Sequence, residues 1–173
     1  MRRRACALAL GALALTACAP LPPARPGAEG WQGKLGYRLE AAEGERAQAG
    51  SAQFDLQGNA QEGQLQLVSA LGTTLASAHW GPQGLRLFDG RDTWAYPDLG
   101  ALGAALGDRI GGIPLPLAAL FDWLSGRPWP AAEHVSLGPD QFEQLGWNVQ
   151  RVGPRLTLRQ QRLTLTLLVA TPS

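Results

Sequence analysis

Apolar and polar residues alternate one by one in the segment that begins at Gly33. Leu35, Tyr37 and Leu39 fall on one side of an extended backbone, and charged residues such as Lys34 fall on the other. Because successive side chains of a strand point to opposite faces of a sheet, this pattern predicts a half-buried β-strand.

The same alternation continues to about Tyr96, and a further strand is predicted over residues 74–80. Turn-forming residues at 58–59, 81–84 and 89–91 separate the strands, which is typical of hairpins. The sequence therefore predicts an antiparallel meander. The apolar positions at spacing two are Ala52, Phe54, Leu56, Leu65, Leu67, Leu85, Leu87, Trp94 and Tyr96.

The pattern changes to helical spacing between residues 97 and 126. Leu99, Leu102 and Leu106 recur at intervals of three and four, and a second apolar stripe follows Pro116, where a first-turn proline is tolerated. We predict two short helices here. Alternation then returns from Gln141 to the final strand, which carries leucines at 163, 165 and 167.

These elements predict a mainly β fold with a helical insertion. A long meander with one apolar face must close into a barrel or be covered, because that face cannot remain in water. The helical insertion is the predicted cover. We expect one domain over residues 31–173.

The first residues have the layout of a bacterial signal peptide. Three arginines follow Met1, and the apolar stretch 5–15 is too short to span a bilayer. Residues 15–18 (Leu-Thr-Ala-Cys) resemble a lipobox, so we expect cleavage after residue 17 and lipid on Cys18. The alternatives are a plain secretory signal or an uncleaved N-terminal anchor.

Residues 18–30 are rich in proline, alanine and glycine and are predicted to form an extended tether. The residue after a lipidated cysteine is the usual sorting signal, and aspartate there is associated with inner-membrane retention in enterobacteria. Ala19 is compatible with the periplasmic face of the outer membrane.

Composition excludes several classes of function. Removal of residues 1–17 leaves 156 residues, with 12 basic against 14 acidic side chains, so charge does not favour nucleic acid. With Cys18 acylated, the mature fold has no thiol for a disulfide, a metal or catalysis. Stability must come from packing.

The sequence shows no nucleophile elbow, metal-binding motif or phosphate loop. His79 is predicted in a strand and His134 in a loop, and neither is assigned to a metal site. Asp89, Asp92 and Asp98 are predicted to serve turns and helix caps. We therefore predict no catalytic residue, no metal and no cofactor.

With these elements in place, the sequence resembles the LolB family of outer-membrane lipoprotein receptors over nearly all of the mature domain. The matching segments occur in the family's order and spacing. They are residues 33–37 (Gly-Lys-Leu-Gly-Tyr), 70–73 (Ala-Leu-Gly-Thr), 114–117 (Pro-Leu-Pro-Leu) and 123–126 (Trp-Leu-Ser-Gly), followed by Phe142, Gln144, Gly146 and Trp147.

The resemblance implies a half-open, strongly curved antiparallel β-barrel with an α-helical lid over an apolar cavity. It also implies the function: the protein accepts acylated lipoproteins from the periplasmic carrier LolA and inserts them into the inner leaflet of the outer membrane. We expect it to act as a monomer.

Candidate residues follow from the resemblance and from the alternation. Leu71 matches the leucine of a projecting family loop associated with membrane delivery, although Ala70 stands where the family commonly has proline; a buried turn leucine is the alternative. Periodicity alone cannot distinguish a cavity wall from a packed core, and packed core is the favoured alternative for any single candidate. The acyl-chain cavity candidates are Leu35, Tyr37, Phe54, Leu65, Leu67, Trp94, Leu120, Phe121, Trp123 and Trp147.

Two other functions are compatible with the same pattern. The protein could bind a free lipid or another apolar ligand in its cavity, or it could be a structural lipoprotein with a solid core that supports an envelope assembly. The size of any cavity and the ligand that copurifies would distinguish these functions.

Overall fold

The alternating segments form eleven strands in the computed structural model, which describes residues 30–110 and 112–170. The strands are β1 Gly30–Leu39, β2 Gln48–Gly58, β3 Gly63–Val68, β4 Thr74–Trp80, β5 Leu85–Phe88, β6 Thr93–Tyr96, β7 His134–Gly138, β8 Gln141–Gln144, β9 Trp147–Val152, β10 Arg155–Gln160 and β11 Leu163–Val169. The helices are α1 Leu99–Gly107 and α2 Leu117–Leu124, and a short 3-10 turn, Asp108–Ile110, follows α1.

All eleven strands belong to one antiparallel sheet in the order β6-β5-β4-β3-β2-β1-β11-β10-β9-β8-β7. The first and last strands pair at its centre, where Leu35 lies opposite Leu167. The chain leaves the sheet after β6 and returns at β7, so the two helices connect its two free edges. The prediction of an open, mainly β fold with a helical insertion is confirmed.

The helix contacts require the sheet to curve. Helix α1 packs against β5 and β6, α2 packs against β9, and the helices contact each other. A flat sheet would place β5 and β9 about 34 Å apart at the usual strand spacing, whereas two packed helices have axes about 8–10 Å apart. The sheet therefore bends around the helix pair.

The core lies between the inner face of the sheet and the helices. Ala52, Phe54 and Leu56 are buried, whereas Ser51 and Gln53 are exposed, as the alternation predicts. In α1, Leu102 and Leu106 are buried four residues apart. Burying each such leucine or phenylalanine contributes about 1.5–3 kcal/mol before conformational entropy is subtracted.

A helix cap and a close backbone contact also hold α1 in place. The Asp98 side chain caps α1 by accepting a 2.8 Å hydrogen bond from the Ala101 amide. Gly103 lies so close to the following linker that an added Cβ would be 2.0 Å from the carbonyl oxygen of Leu115.

Within the described residues, no helix is long and apolar enough to cross a membrane.

The structure differs from the sequence predictions at three places. The prediction of a loop at His134 is wrong, because His134 begins β7; every residue of this edge strand is exposed, so no alternation marks it. Strand β1 begins at Gly30 rather than Gly33, since Trp31 pairs with Leu56. Pro116 caps α2 rather than occupying its first turn. Cys18 and the predicted signal peptide and tether up to residue 29 lie outside the described residues.

Candidate apolar binding site

An apolar cavity of about 300 Å³ lies between the inner face of the sheet and the two helices. Strands β1 to β4, β10 and β11 supply one wall, and α1, α2 and the linker between them supply the other. The lining is apolar or aromatic apart from Ser51 and Arg109. Its residues include Leu35, Tyr37, Ala52, Phe54, Leu56, Leu65, Leu67, Leu75, Ala76, Leu106, Leu115, Leu117, Leu120, Trp123, Leu124, Leu158, Leu165 and Leu167.

The structure brings seven of the predicted cavity residues together around this space. The set comprises Leu35, Tyr37, Phe54, Leu65, Leu67, Leu120 and Trp123. They come from both sides of the cavity, since three strands and α2 contribute to the set. The same geometry could hold an apolar ligand.

Phe121, Trp147 and Trp94, the other three candidates, do not line the cavity. Phe121 is buried and packs edge-on against Trp31 and Trp80, at centroid distances of 5.7 and 6.2 Å. Trp147 is buried 6.5 Å from Trp123. Trp94 is 54% exposed on β6, which is an edge strand of the sheet, and its indole donates a 3.3 Å hydrogen bond to Asp89.

Most other lining residues belong to apolar faces that the alternation or the helical spacing predicts, but Leu75, Leu115 and Arg109 could not be recognised in this way. Leu75 precedes the inward-facing Ala76, so in a regular strand it would face outward. The pairing of β3 with β4 shifts register beside Leu67, and Leu75 lines the cavity as well. Leu115 belongs to the linker, where no periodicity applies. Arg109 is charged, so hydropathy could not select it.

Several hairpin turns lie at one end of the sheet, which we call the turn end: residues 40–47, 69–73, 89–92 and 161–162. They share this end because the strands are antiparallel, as the pairing of Leu39 with both Gln48 and Leu163 shows. Leu67 and Leu75 flank the turn 69–73 and line the cavity, so the cavity extends to the turn end.

Leu71 projects from the turn end with 94% of its surface exposed. The Ser69 hydroxyl accepts hydrogen bonds from the amides of Leu71 and Thr73, at 3.3 and 3.1 Å. The Ser69 carbonyl accepts a further bond from Gly72, whose φ of 82° suits glycine. Ser69 therefore holds the loop that presents Leu71, although Ala70 is not a proline.

Residues 30–169 match a family model described as outer membrane lipoprotein LolB. The chain belongs to the LolB family. The matched range begins at the first residue of β1 and ends at the last residue of β11, so family membership covers the whole sheet and both helices.

A curated relative supports the same assignment. The outer-membrane lipoprotein LolB of Chromobacterium violaceum is 29% identical over 99 residues, which is 57% of this chain and 53% of the relative. The chain therefore matches about half the length of this relative. LolB is a lipoprotein-localisation family.

In this LolB-family chain, Asp89 connects the end of α1 to the β5–β6 turn. Its carboxylate accepts hydrogen bonds from the amides of Asp92 and Arg91, at 2.8 and 2.9 Å, and from the guanidinium of Arg109 at 3.1 Å. These bonds, led by the two amides, hold the pKa of Asp89 well below its ordinary value of 3.8. The prediction that Asp89 and Asp98 serve a turn and a helix cap is confirmed.

The two histidines lie apart from the cavity. His79 is on β4, with Nε2 3.2 Å from the Ser77 hydroxyl, and the His134 ring packs edge-on against Phe142. Across residues 30–110 and 112–170, no three histidine, cysteine, aspartate or glutamate side chains converge as metal ligands would.

Proposed function

We propose that this protein accepts acylated lipoproteins from the periplasmic carrier LolA and inserts them into the inner leaflet of the outer membrane. It acts as a monomer, without covalent chemistry or a cofactor. The observation that carries the proposal is an apolar cavity of about 300 Å³ between the sheet and the helices of a LolB-family chain.

The physical need for such a cavity follows from the cargo. Each acyl methylene exposed to water costs about 0.8 kcal/mol, so lipid chains cannot cross an aqueous space unprotected. The cavity volume lies at the lower end of about 300–1,000 Å³, the usual range for ligand pockets. We infer that α1 and α2 act as a lid and move away from the sheet when several acyl chains enter.

Leu71 is the proposed membrane-delivery residue. Its side chain is almost fully exposed at the end of the sheet that the cavity reaches. Burial of one leucine in lipid contributes only about 1.5–3 kcal/mol, so Leu71 serves as a probe and not as an anchor. Lipid on Cys18 and the tether to residue 29 hold the domain at the periplasmic face of the outer membrane.

The direction of transfer would come from differential affinity. If the cargo binds this cavity more tightly than the cavity of LolA, transfer proceeds without nucleotide hydrolysis. The test uses the chain from residue 18 with Cys18→Ala and LolA loaded with one lipoprotein. Cargo should move to this chain, and cargo that remains on LolA would contradict the proposal.

A cavity-filling variant tests where the cargo binds. Leu120→Trp should place extra volume in the cavity and reduce cargo uptake, at a stability cost of at most about 1–3 kcal/mol, the usual range for a larger apolar side chain. Leu168→Trp makes the same exchange on the exposed outer face of β11 and should leave uptake unchanged. If Leu120→Trp takes up as much cargo as Leu168→Trp does, the cavity is excluded as the cargo site.

The small volume of the cavity favours a second candidate, the binding of one free lipid. Mass spectrometry of the protein purified from cells separates the two. A copurifying free lipid together with failure to accept lipoprotein would favour this candidate.

A further inference from the structure

A second pocket, of about 350 Å³ and polar, lies at the turn end beside the apolar cavity. Arg46, Arg109, Arg162, Glu45 and Asp108 contribute charged side chains to it. The sequence shows these residues in three separate segments, and the fold brings them together. We call this space the arginine pocket.

The arginine pocket continues the line of the apolar cavity along β1. Tyr37 lines the cavity, and Leu39, which is two residues further on the same face, lines the arginine pocket. On the paired strand, Ala52 lines the first space and Gln48 the second. Arg109 lines both, so this residue marks the boundary between an apolar and a polar compartment.

The arginines have different amounts of unused hydrogen-bonding capacity. Arg162 donates to the Glu45 carboxylate at 2.7 Å and to the Glu40 carbonyl at 3.2 Å. Arg109 uses one nitrogen to bind Asp89, and Arg46 forms no ion pair with any described residue. Because a guanidinium has five N–H donors and accepts no hydrogen bond, Arg46 and Arg109 retain donors for a ligand.

The mixed charge of the pocket indicates the chemistry of that ligand. Glu45 and Asp108 offset two of the three arginine charges, which weakens the attraction of the pocket for a multiply charged anion such as phosphate. Carbonyl oxygens of esters and amides are neutral acceptors, and guanidinium donors bind them without a charge requirement. A ligand with apolar chains followed by several carbonyls would fill both compartments.

We propose that the arginine pocket binds the polar segment of an acylated lipoprotein, which comprises the ester carbonyls of its lipid and the first peptide groups after its lipidated cysteine. The inference rests on the proposed function, because it requires acyl chains in the apolar cavity. Arg109 would then contact the cargo where its chains end, and Arg46 would contact it further out.

Two fluorescent probes test the proposal on the chain from residue 18 with Cys18→Ala. One is a synthetic dipalmitoylglyceryl-cysteinyl tetrapeptide, used below its aggregation concentration, and the other is a hydrocarbon of the same chain length without ester or peptide groups. Arg109→Gln should weaken binding of the lipopeptide about 10-fold, and Arg46→Gln about 5-fold, as expected for hydrogen bonds from charged donors. Binding of the hydrocarbon should change by less than about twofold.

Asp89→Asn is the matched control, because it removes the ion-pair partner of Arg109 while leaving all three arginines in place. It should change lipopeptide binding by less than about twofold. The proposal is overturned if Asp89→Asn weakens lipopeptide binding as much as Arg109→Gln does. Arg109 would then act by holding α1 and not by contacting the lipopeptide.

Other results have equally definite meanings. If the parent chain binds the lipopeptide and both arginine variants bind it equally well, this proposal fails while the proposed function stands. If Arg109→Gln weakens the binding of both probes alike, the substitution has altered the apolar cavity. The Arg46→Gln variant on the exposed turn then decides: weaker lipopeptide binding supports the proposal, and unchanged lipopeptide binding overturns it. If the parent chain binds neither probe, the proposed function fails as well.

Discussion

The indole Nε1 of Trp123 donates a 2.8 Å hydrogen bond to the side-chain oxygen of Gln144, which is only 2% exposed. Gln144 Oε1 also accepts a 2.8 Å bond from the Trp129 amide. Gln144 Nε2 donates to the carbonyls of Trp129 and Ala132. One amide side chain thus joins α2, the loop after it and β8, and this bond network fixes a tryptophan that lines the cavity.

Gln144→Ala should destabilise the protein strongly, because it leaves a buried donor on Trp123 and a part-buried donor on Trp129 without partners. Each unsatisfied buried group costs about 1–3 kcal/mol, so we expect a loss of about 3 kcal/mol or more in the free energy of unfolding, measured by urea denaturation. Glu143→Ala, an exposed neighbour on β8, should change it by less than about 0.5 kcal/mol. Similar losses in both variants would show that the network is not important.

Leu71→Glu should block release of cargo to liposomes while leaving acceptance from LolA intact, since a charged side chain at the tip opposes entry into lipid. The unfolding free energy should stay within about 0.5 kcal/mol of the parent value, because the side chain is exposed. Val135→Glu, at a 62% exposed site on β7, is the control and should release cargo normally. Loss of both acceptance and release in Leu71→Glu would indicate damage to the fold instead.

Asp89→Asn should reveal a pH-dependent contribution to stability. The folded pKa of Asp89 lies below its ordinary value of 3.8, so its stabilising effect is complete above that value and is lost as the pH falls through the folded pKa. The parent protein should therefore be more stable than the variant at about pH 7, and the difference should shrink below about pH 4.

Urea denaturation at a series of pH values measures this difference. Asp92→Asn is a suitable comparison, since the Asp92 side chain accepts none of the hydrogen bonds that converge on Asp89. A gap between the parent and Asp89→Asn that stays constant down to about pH 2 would contradict the prediction.

Gly103→Ala should destabilise the protein, against the usual effect of this exchange. In an exposed helix interior, alanine is favoured over glycine by about 1 kcal/mol. At Gly103 the added Cβ would lie 2.0 Å from the backbone oxygen of Leu115, so α1 and the linker must separate. Thermal unfolding should show a lower midpoint, whereas Gly138→Ala, on the exposed strand β7 with no atom within 4 Å of the added Cβ, should change it little; a higher midpoint for Gly103→Ala would exclude the close approach.

The strands with one buried face could be predicted from the sequence because their geometry is local. In β2, Ala52, Phe54 and Leu56 alternate with polar residues, and the backbone alone sends them to one side. The buried Leu102 and Leu106 of α1 follow from helical periodicity in the same way. β7 escaped prediction because an edge strand with no buried face has no such pattern.

The sequence by itself determined which side chains share a face, the turn roles of Asp89 and Asp98, and the motifs that place the chain in the LolB family. The tertiary structure decided which of those faces meet. Trp94 and Trp123 look alike as aromatic candidates, yet one is on the surface and the other lines the cavity. Arg46 and Arg162 become neighbours because β1 pairs with β11, and Arg109 joins them when the sheet bends around the helices; contacts between distant segments depend on strand pairing and curvature rather than on local periodicity.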